Sequence, residues 1–181
     1  MTFEQMNIAN TIDTTNPMEW YAIQVRSRHE FQISERLTKV GIDTFLPVVE
    51  RLRKWKDRKK LINFPLFPGY LFVCTDKSPQ SRLSVLKTRG IVRFLGNVPG
   101  EPEPVPEEQI ISLQTLIENK AFLEPYPYLK EGQRVRIKRG PLSGVEGIFV
   151  EKYGQHMLVI SVDILLKGAS LKIDAVEVET V

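Results

Sequence analysis

Apolar and polar positions alternate most clearly in the last third of the chain. From Gly132 to Lys138, Val135 and Ile137 fall on one side while Arg134, Arg136 and Lys138 fall on the other, the period of two expected of a half-buried strand. Gly140-Pro141 then predicts a turn. Gly144 and Gly147 supply positions where positive φ or close backbone approach costs little, and a second strand follows. The β-branched residues Val145, Ile148, Val150, Val159, Ile160, Val162, Ile164, Ile173, Val176 and Val178 favour strand over helix, which would restrict their χ1. A small β-barrel that keeps its strands whether or not it touches the rest of the chain is the expected product.

The preceding stretch mixes periods. Trp20 to Val25 reads as a strand, and Ser27 with Glu30 three residues on reads as a capping box opening a helix through Ile33, Leu37 and Val40 that Gly41 ends. Thr44 to Glu50 and Leu61 to Val73 predict an antiparallel hairpin, with Pro65 and Pro68 restricting the strand proper to Tyr70 to Cys74. Ser78-Pro79 predicts a helix start through Leu83 and Leu86 that Gly90 stops. Ile91 to Leu95 is a short strand. A proline-rich loop follows, and Ile110, Leu113 and Ile117 mark an amphipathic helix whose Glu107 and Glu108 suit its positive end. This order implies an α+β unit, an antiparallel sheet with flanking helices placed on one side. The expected division is a disordered tail over 1–16, the α+β domain over 17–120, a linker over 121–129 and the barrel over 130–181.

Charge changes the picture locally rather than globally. The net charge is +3, yet Arg51 to Lys60 holds seven basic residues against one acid, and 97–127 holds six glutamates against Lys120 alone. The basic run either steers the protein to phosphate or an acidic surface, or is a solvated hairpin tip; Trp55 within it suggests stacking. No apolar run approaches the ~20 residues of a membrane span, and the first nineteen residues lack the basic-then-apolar order of a secretory signal. A cytoplasmic monomer is expected. The single cysteine, Cys74, reads as a small buried hydrophobe.

Aromatics gather at one place. Phe64, Phe67, Tyr70 and Phe72 put four rings in nine residues, more than one sheet face of a small domain easily buries, and such rings are common interface anchors. The alternative is that they are core.

Several landmarks together resemble one family. Trp20-Tyr21-Ala22-Ile23-Gln24-Val25, Phe67-Pro68-Gly69-Tyr70-Leu71-Phe72-Val73, Thr88-Arg89-Gly90, Val105-Pro106-Glu107-Glu108 and the 132–147 segment, which is similar to a KOW motif, follow the order and spacing of the NusG family of transcription elongation factors. The resemblance implies an amino-terminal NGN domain, an SH3-like KOW barrel, binding to RNA polymerase and no catalytic reaction. It places Phe67, Pro68, Tyr70 and Phe72, with Tyr21 as neighbour, against the β′ clamp helices. Ser81, Arg82 and Leu83 stand where a contact to the β gate loop is made.

The spacing looks closer to specialised paralogues such as RfaH than to housekeeping members. Leu142, Val145 and the Leu165-Leu166-Lys167 stretch stand where housekeeping members carry aromatics and a Phe-Gly-Arg tripeptide against Rho or a ribosomal protein. The resemblance to the specialised branch implies contact with non-template DNA through Arg26, Arg36, Thr88 and Arg89. The basic run adds Arg53, Lys54, Lys56 and Lys59 as nucleic-acid candidates. For Arg89 the competing reading is a cation satisfying carbonyls before Gly90.

Enzymatic chemistry finds little footing. His29 and His156 lie in different expected domains, one cysteine makes no metal cluster, and no Gly-rich Lys loop is present. Neither cofactor nor metal is expected. Two alternatives to a specialised elongation factor remain: a housekeeping NusG, and an RNA-binding, ribosome-associated KOW protein, for which the amino-terminal unit would be superfluous.

Overall fold

The computed structural model of the protein describes residues 17–54, 59–98 and 100–181. The expected tail over 1–16, together with Trp55 and Lys56, lies outside them.

The amino-terminal sheet is built from β1 (Glu19–Val25), β2 (Asp43–Phe45), β5 (Tyr70–Thr75) and β6 (Ile91–Phe94) in the antiparallel order β2-β5-β1-β6. Between β2 and β5 the chain leaves the sheet as a separate two-stranded ribbon, β3 (Val48–Lys54) and β4 (Lys59–Pro65). The expected hairpin is present, but its second arm is divided. Phe67-Pro68-Gly69 turns the chain between β4 and β5, and Gly69 takes φ +84°, a conformation glycine adopts without penalty.

Three helices complete this unit: α1 (Glu30–Lys39), α2 (Pro79–Leu86) and α3 (Glu107–Glu118). They do not share one side, as the sequence suggested. Ile33 and Leu37 of α1 and Val85 of α2 pack with Tyr21, Ile23, Val25, Leu71 and Val73. Ile110, Leu113 and Leu116 of α3 pack on the other face with Ala22, Phe67 and Phe72. The cause is visible in the strands: Leu71, Phe72 and Val73 are successive and fully buried, so both faces need cover.

Helix entry also differs. The expected capping box at Ser27 does not form; α1 begins after His29, which gives no side-chain cap, and Glu30 turns elsewhere. For α2 the expected cap is present, since Ser78 Oγ accepts from Ser81 N at 3.2 Å with Pro79 in the first turn.

The carboxyl half is a six-stranded antiparallel sheet in the order β12-β8-β9-β10-β11-β7. Its strands are β7 (Glu124–Pro127), β8 (Gln133–Ile137), β9 (Glu146–Lys152), β10 (Gln155–Val162), β11 (Lys167–Lys172) and β12 (Val178–Thr180). The segment expected to be a linker thus contributes β7, paired to β11 from Lys167↔Pro127 to Ser170↔Glu124. The alternation predicted for β8 is realised, with Val135 and Ile137 buried. Its outward cations are partly neutralised: Arg136 Nε donates to Glu146 Oε1 at 2.8 Å, and Arg134 lies 3.7 Å from the same carboxylate. Gly147 is required by close approach, because a Cβ there would meet the Val159 carbonyl oxygen at 2.7 Å.

The apolar core is continuous from α3 into this sheet.

Candidate functional site

The aromatic turn is held by a side chain from a distant helix. Glu30, buried in the first turn of α1, accepts a 2.8 Å hydrogen bond at Oε1 from Gly69 N. Val25 N donates to Gly69 O at 2.8 Å, so both polar groups of that residue's backbone are satisfied. The result is a rigid turn that presents Pro68 to solvent and leaves Tyr70 half-buried. Phe67 and Phe72 do not join that surface. They are 2% and 0% exposed, in the core beneath α3.

Tyr21 is separated from these rings altogether. It pairs with Val73, whereas Ala22 pairs with Phe72, so the pleat sends Tyr21 and Phe72 to opposite faces. On its own face Tyr21 meets Phe94 edge-on at 6.0 Å and donates its hydroxyl to Glu19 Oε2 at 2.9 Å. Burial first, then the Glu19 bond and charge, push its phenol up to about 12, against a smaller opposing pull from Arg82. Tyr21 therefore belongs with Ser81, Arg82 and Leu83 on α2. Ser81 Oγ donates to Asp76 Oδ2 at 2.7 Å, and the bonds from Ser78 and Ser81 hold the Asp76 carboxyl below its ordinary range. Leu83 is exposed, and Arg82 half-buried.

Four nucleic-acid candidates converge at one corner. Arg36 Nη1 donates to Arg89 O at 3.0 Å, and Arg26 N donates to Gly90 O at 2.9 Å, which gathers Arg26, Arg36, Thr88 and Arg89 around the turn between α2 and β6. All three arginines are exposed, and among the described residues none lies in an ion pair. A second basic group occupies the ribbon. Arg53 stands opposite Lys60 and Lys54 opposite Lys59 across the strands, which concentrates cations on the ribbon.

The barrel candidates divide in the same way. Val145 and Leu165 are buried barrel-core residues and Leu142 is half-buried, whereas Lys167 is exposed. Its ammonium sits 5.8 Å from the centroid of the Tyr70 ring. Two residues assigned from sequence to different partners thus touch each other.

One polar cluster had no sequence signal. Gln109 Nε2 donates to Asp163 Oδ2 at 2.9 Å, Asp163 N donates back to Gln109 Oε1 at 3.3 Å, and Tyr128 donates its hydroxyl to Asp163 Oδ1 at 3.0 Å. Desolvation and the Asp163 carboxylate raise the Tyr128 phenol above its ordinary value. These bonds tie α3 to the end of β10. Gln109 and Asp163 lie 54 residues apart, beyond any local pattern.

Cys74 is half-buried rather than fully buried, and burial, with Asp43 and Glu107 nearby, raises its thiol. Among the described residues no group of three or more His, Cys, Asp or Glu is placed to hold a metal, and no helix is long and apolar enough to cross a membrane.

Residues 18–114 match the family described as transcription termination factor nusG. The chain is 26% identical over 183 residues to the transcription termination/antitermination protein NusG of Borreliella burgdorferi, covering 90% of this chain and 98% of that one. It is 27% identical over 170 residues to the protein of the same name from Chlamydia pneumoniae, covering 88% and 91%. A solved structure described as "Domain interaction in Thermotoga maritima NusG" shares the fold at a TM-score of 0.50 and 21% identity, covering 91% of this chain and 98% of that one.

Proposed function

The chain belongs to the NusG family, and from that premise we propose that it is a transcription elongation factor that binds RNA polymerase through the 67–70 turn and touches nucleic acid through its two basic groups. The observation that carries this reading is the braced turn. Glu30 and Gly69 fix a backbone that exposes Pro68 and half of Tyr70, a rigid anchor surface of the kind that protein interfaces use. Clamp helices of the β′ subunit are the proposed occupant. Use of the Tyr70 ring by a partner requires Lys167 to leave its face.

Ser81, Arg82 and Leu83 supply the second polymerase contact in this reading, and Arg26, Arg36, Thr88 and Arg89 meet the non-template strand. The exposed arginines would supply affinity through phosphate, with sequence preference left to base-edge contacts. The ribbon cations Arg53, Lys54 and Lys59, with Lys56, add to the phosphate term.

A narrower role on selected operons, as in RfaH, is favoured by one observation. Val145 and Leu165 are committed to the barrel core, and the stretches 142–145 and 165–167 carry no aromatic to offer Rho or a ribosomal protein.

The test is binding of the full chain to reconstituted elongation complexes, with pause lifetimes read in parallel. Tight association that shortens pauses and weakens in Tyr70→Ala supports the proposal. Association with ribosomal subunits and none with polymerase overturns it.

A further inference from the structure

Among the described residues, one buried side-chain nitrogen or oxygen lacks a hydrogen-bond partner, and it is Arg82 Nε. A donor in that state carries a desolvation cost that an incoming acceptor relieves. Arg82 lines a cavity of about 300 Å³, together with Leu86 from α2, Val92 and Phe94 from β6 and Val98 from the loop that follows. Its aliphatic surface stands in water: Leu86 is 42% exposed, Val92 55% and Val98 53%.

The loop wall is built before anything binds. Glu101 N donates to Val98 O at 3.1 Å, and Glu103 N donates to Leu95 O at 3.0 Å, which closes the loop on itself and ties it to the strand end. Gly96 permits this, because a Cβ there would overlap the Glu101 carbonyl oxygen. Small-molecule sites are mostly pre-formed clefts of roughly 300–1,000 Å³, apolar with a few convergent polar groups. The cavity lies at the small end of that range.

Its charge is one-sided. Two arginines, Arg82 and Arg93, line it with no carboxylate beside them among the described residues. Arg93 is fixed by donating Nε to Gln24 Oε1 at 3.0 Å, and neither arginine enters an ion pair among the described residues. A guanidinium fork matches the two oxygens of a carboxylate. A phosphate would set a third acceptor oxygen against an apolar wall, where nothing satisfies it.

We propose that this cavity binds a free monocarboxylic acid with a short aliphatic or aryl body. The carboxylate accepts from Arg82 and Arg93, and the body covers Leu86, Val92 and Val98. Of the three residues assigned above to a second polymerase contact, only Arg82 reaches this cavity; Ser81 opens onto a different cleft, with Met18 and Ile42. The inference goes beyond the elongation-factor reading and does not rest on it, since a free acid binds without polymerase.

Octanoate titrated into the full chain, with its Leu and Val methyl groups labelled for NMR, tests the site. Saturable shifts at Leu86, Val92 and Val98 are expected. Octanamide, which lacks the charge, and acetate, which lacks the body, should each bind at least about tenfold more weakly. Arg82→Gln should lower octanoate affinity about tenfold as well. Val98→Trp, placed at an exposed position to fill the cavity while both arginines stay, should abolish the shifts and serves even where Arg82→Gln does not fold. Absent or unsaturable shifts overturn the proposal and leave the cavity to water or to a macromolecular segment. Equal binding of octanamide, or octanoate binding untouched by Val98→Trp, overturns it too, and equal binding of acetate would mean an anion on surface arginines only.

Discussion

The Glu30 carboxylate and the Gly69 amide meet at 2.8 Å in the interior of the amino-terminal unit, joining the first turn of α1 to the turn that precedes β5. Removing the acceptor leaves a buried N–H with nothing to bond. Glu30→Ala is expected to destabilise the protein by about 2 kcal/mol, with Glu30→Gln recovering part of the loss because its amide oxygen can still accept. Urea unfolding followed by tryptophan fluorescence measures both; equal stability of Glu30→Ala and the parent would show that the turn needs no brace.

Truncations in the aromatic cluster should divide by burial. Phe67 is 2% exposed and lies in the core, so Phe67→Ala is expected to cost about 3 to 5 kcal/mol and to lose binding by unfolding. Tyr70→Ala, at a half-buried ring, should retain the far-UV spectrum and lower polymerase affinity by ~2 kcal/mol. Thermal melts alongside binding isotherms separate the two effects. A folded Tyr70→Ala protein with parental affinity would discard the turn as an anchor.

Tyr21 gives the protein an alkaline limit. Its phenol is raised from 10.0 to about 12 by burial and by Glu19, so the folded state holds the proton more tightly than the unfolded chain. The associated stability is fully present below pH 10.0 and is lost as pH rises through about 12. Absorbance titration should show a tyrosine ionising at about pH 12, and Tyr21→Phe should remove that step. Persistence of the step in Tyr21→Phe would assign it to another residue.

On the ribbon, neutralising Arg53, Lys54, Lys59 and Lys60 together removes two cation pairs that face each other across the strands. Affinity for the elongation complex should fall, and its logarithmic salt slope should flatten by about 0.7 to 0.9 for each phosphate that the variant no longer neutralises. Binding repeated over a range of salt concentrations reads the slope, and an unchanged value would leave the run as a solvated tip.

The Asp163 clasp makes a separate prediction. Asp163→Ala removes the acceptor shared by Gln109 and Tyr128, so the Tyr128 phenol should fall back toward its ordinary value and amide shifts should change along the start of α3. Spectra in which Gln109 and Ser112 stay in place would mean that the apolar contacts alone hold α3 against the barrel.

Local chemistry was enough for much of this architecture. The cap at Ser78, the hairpin around the basic run, the glutamate-led start of α3 and the alternation at Val135 and Ile137 all follow from patterns a few residues long, because each depends on neighbours in the chain. Tertiary structure decided which face each strand residue occupies against which helix, and so separated Tyr21 from Phe72 and took Phe67 out of the exposed surface. It also redirected Glu30 from an expected capping box to a glycine in another turn, and gave the 121–129 segment a strand in the barrel sheet. A run such as Leu71-Phe72-Val73 shows that both faces of a sheet are covered, but not by what. Contacts such as Gln109 with Asp163 arise only when distant elements are packed, and the free energy that selects them is a property of the assembled interior rather than of any short segment.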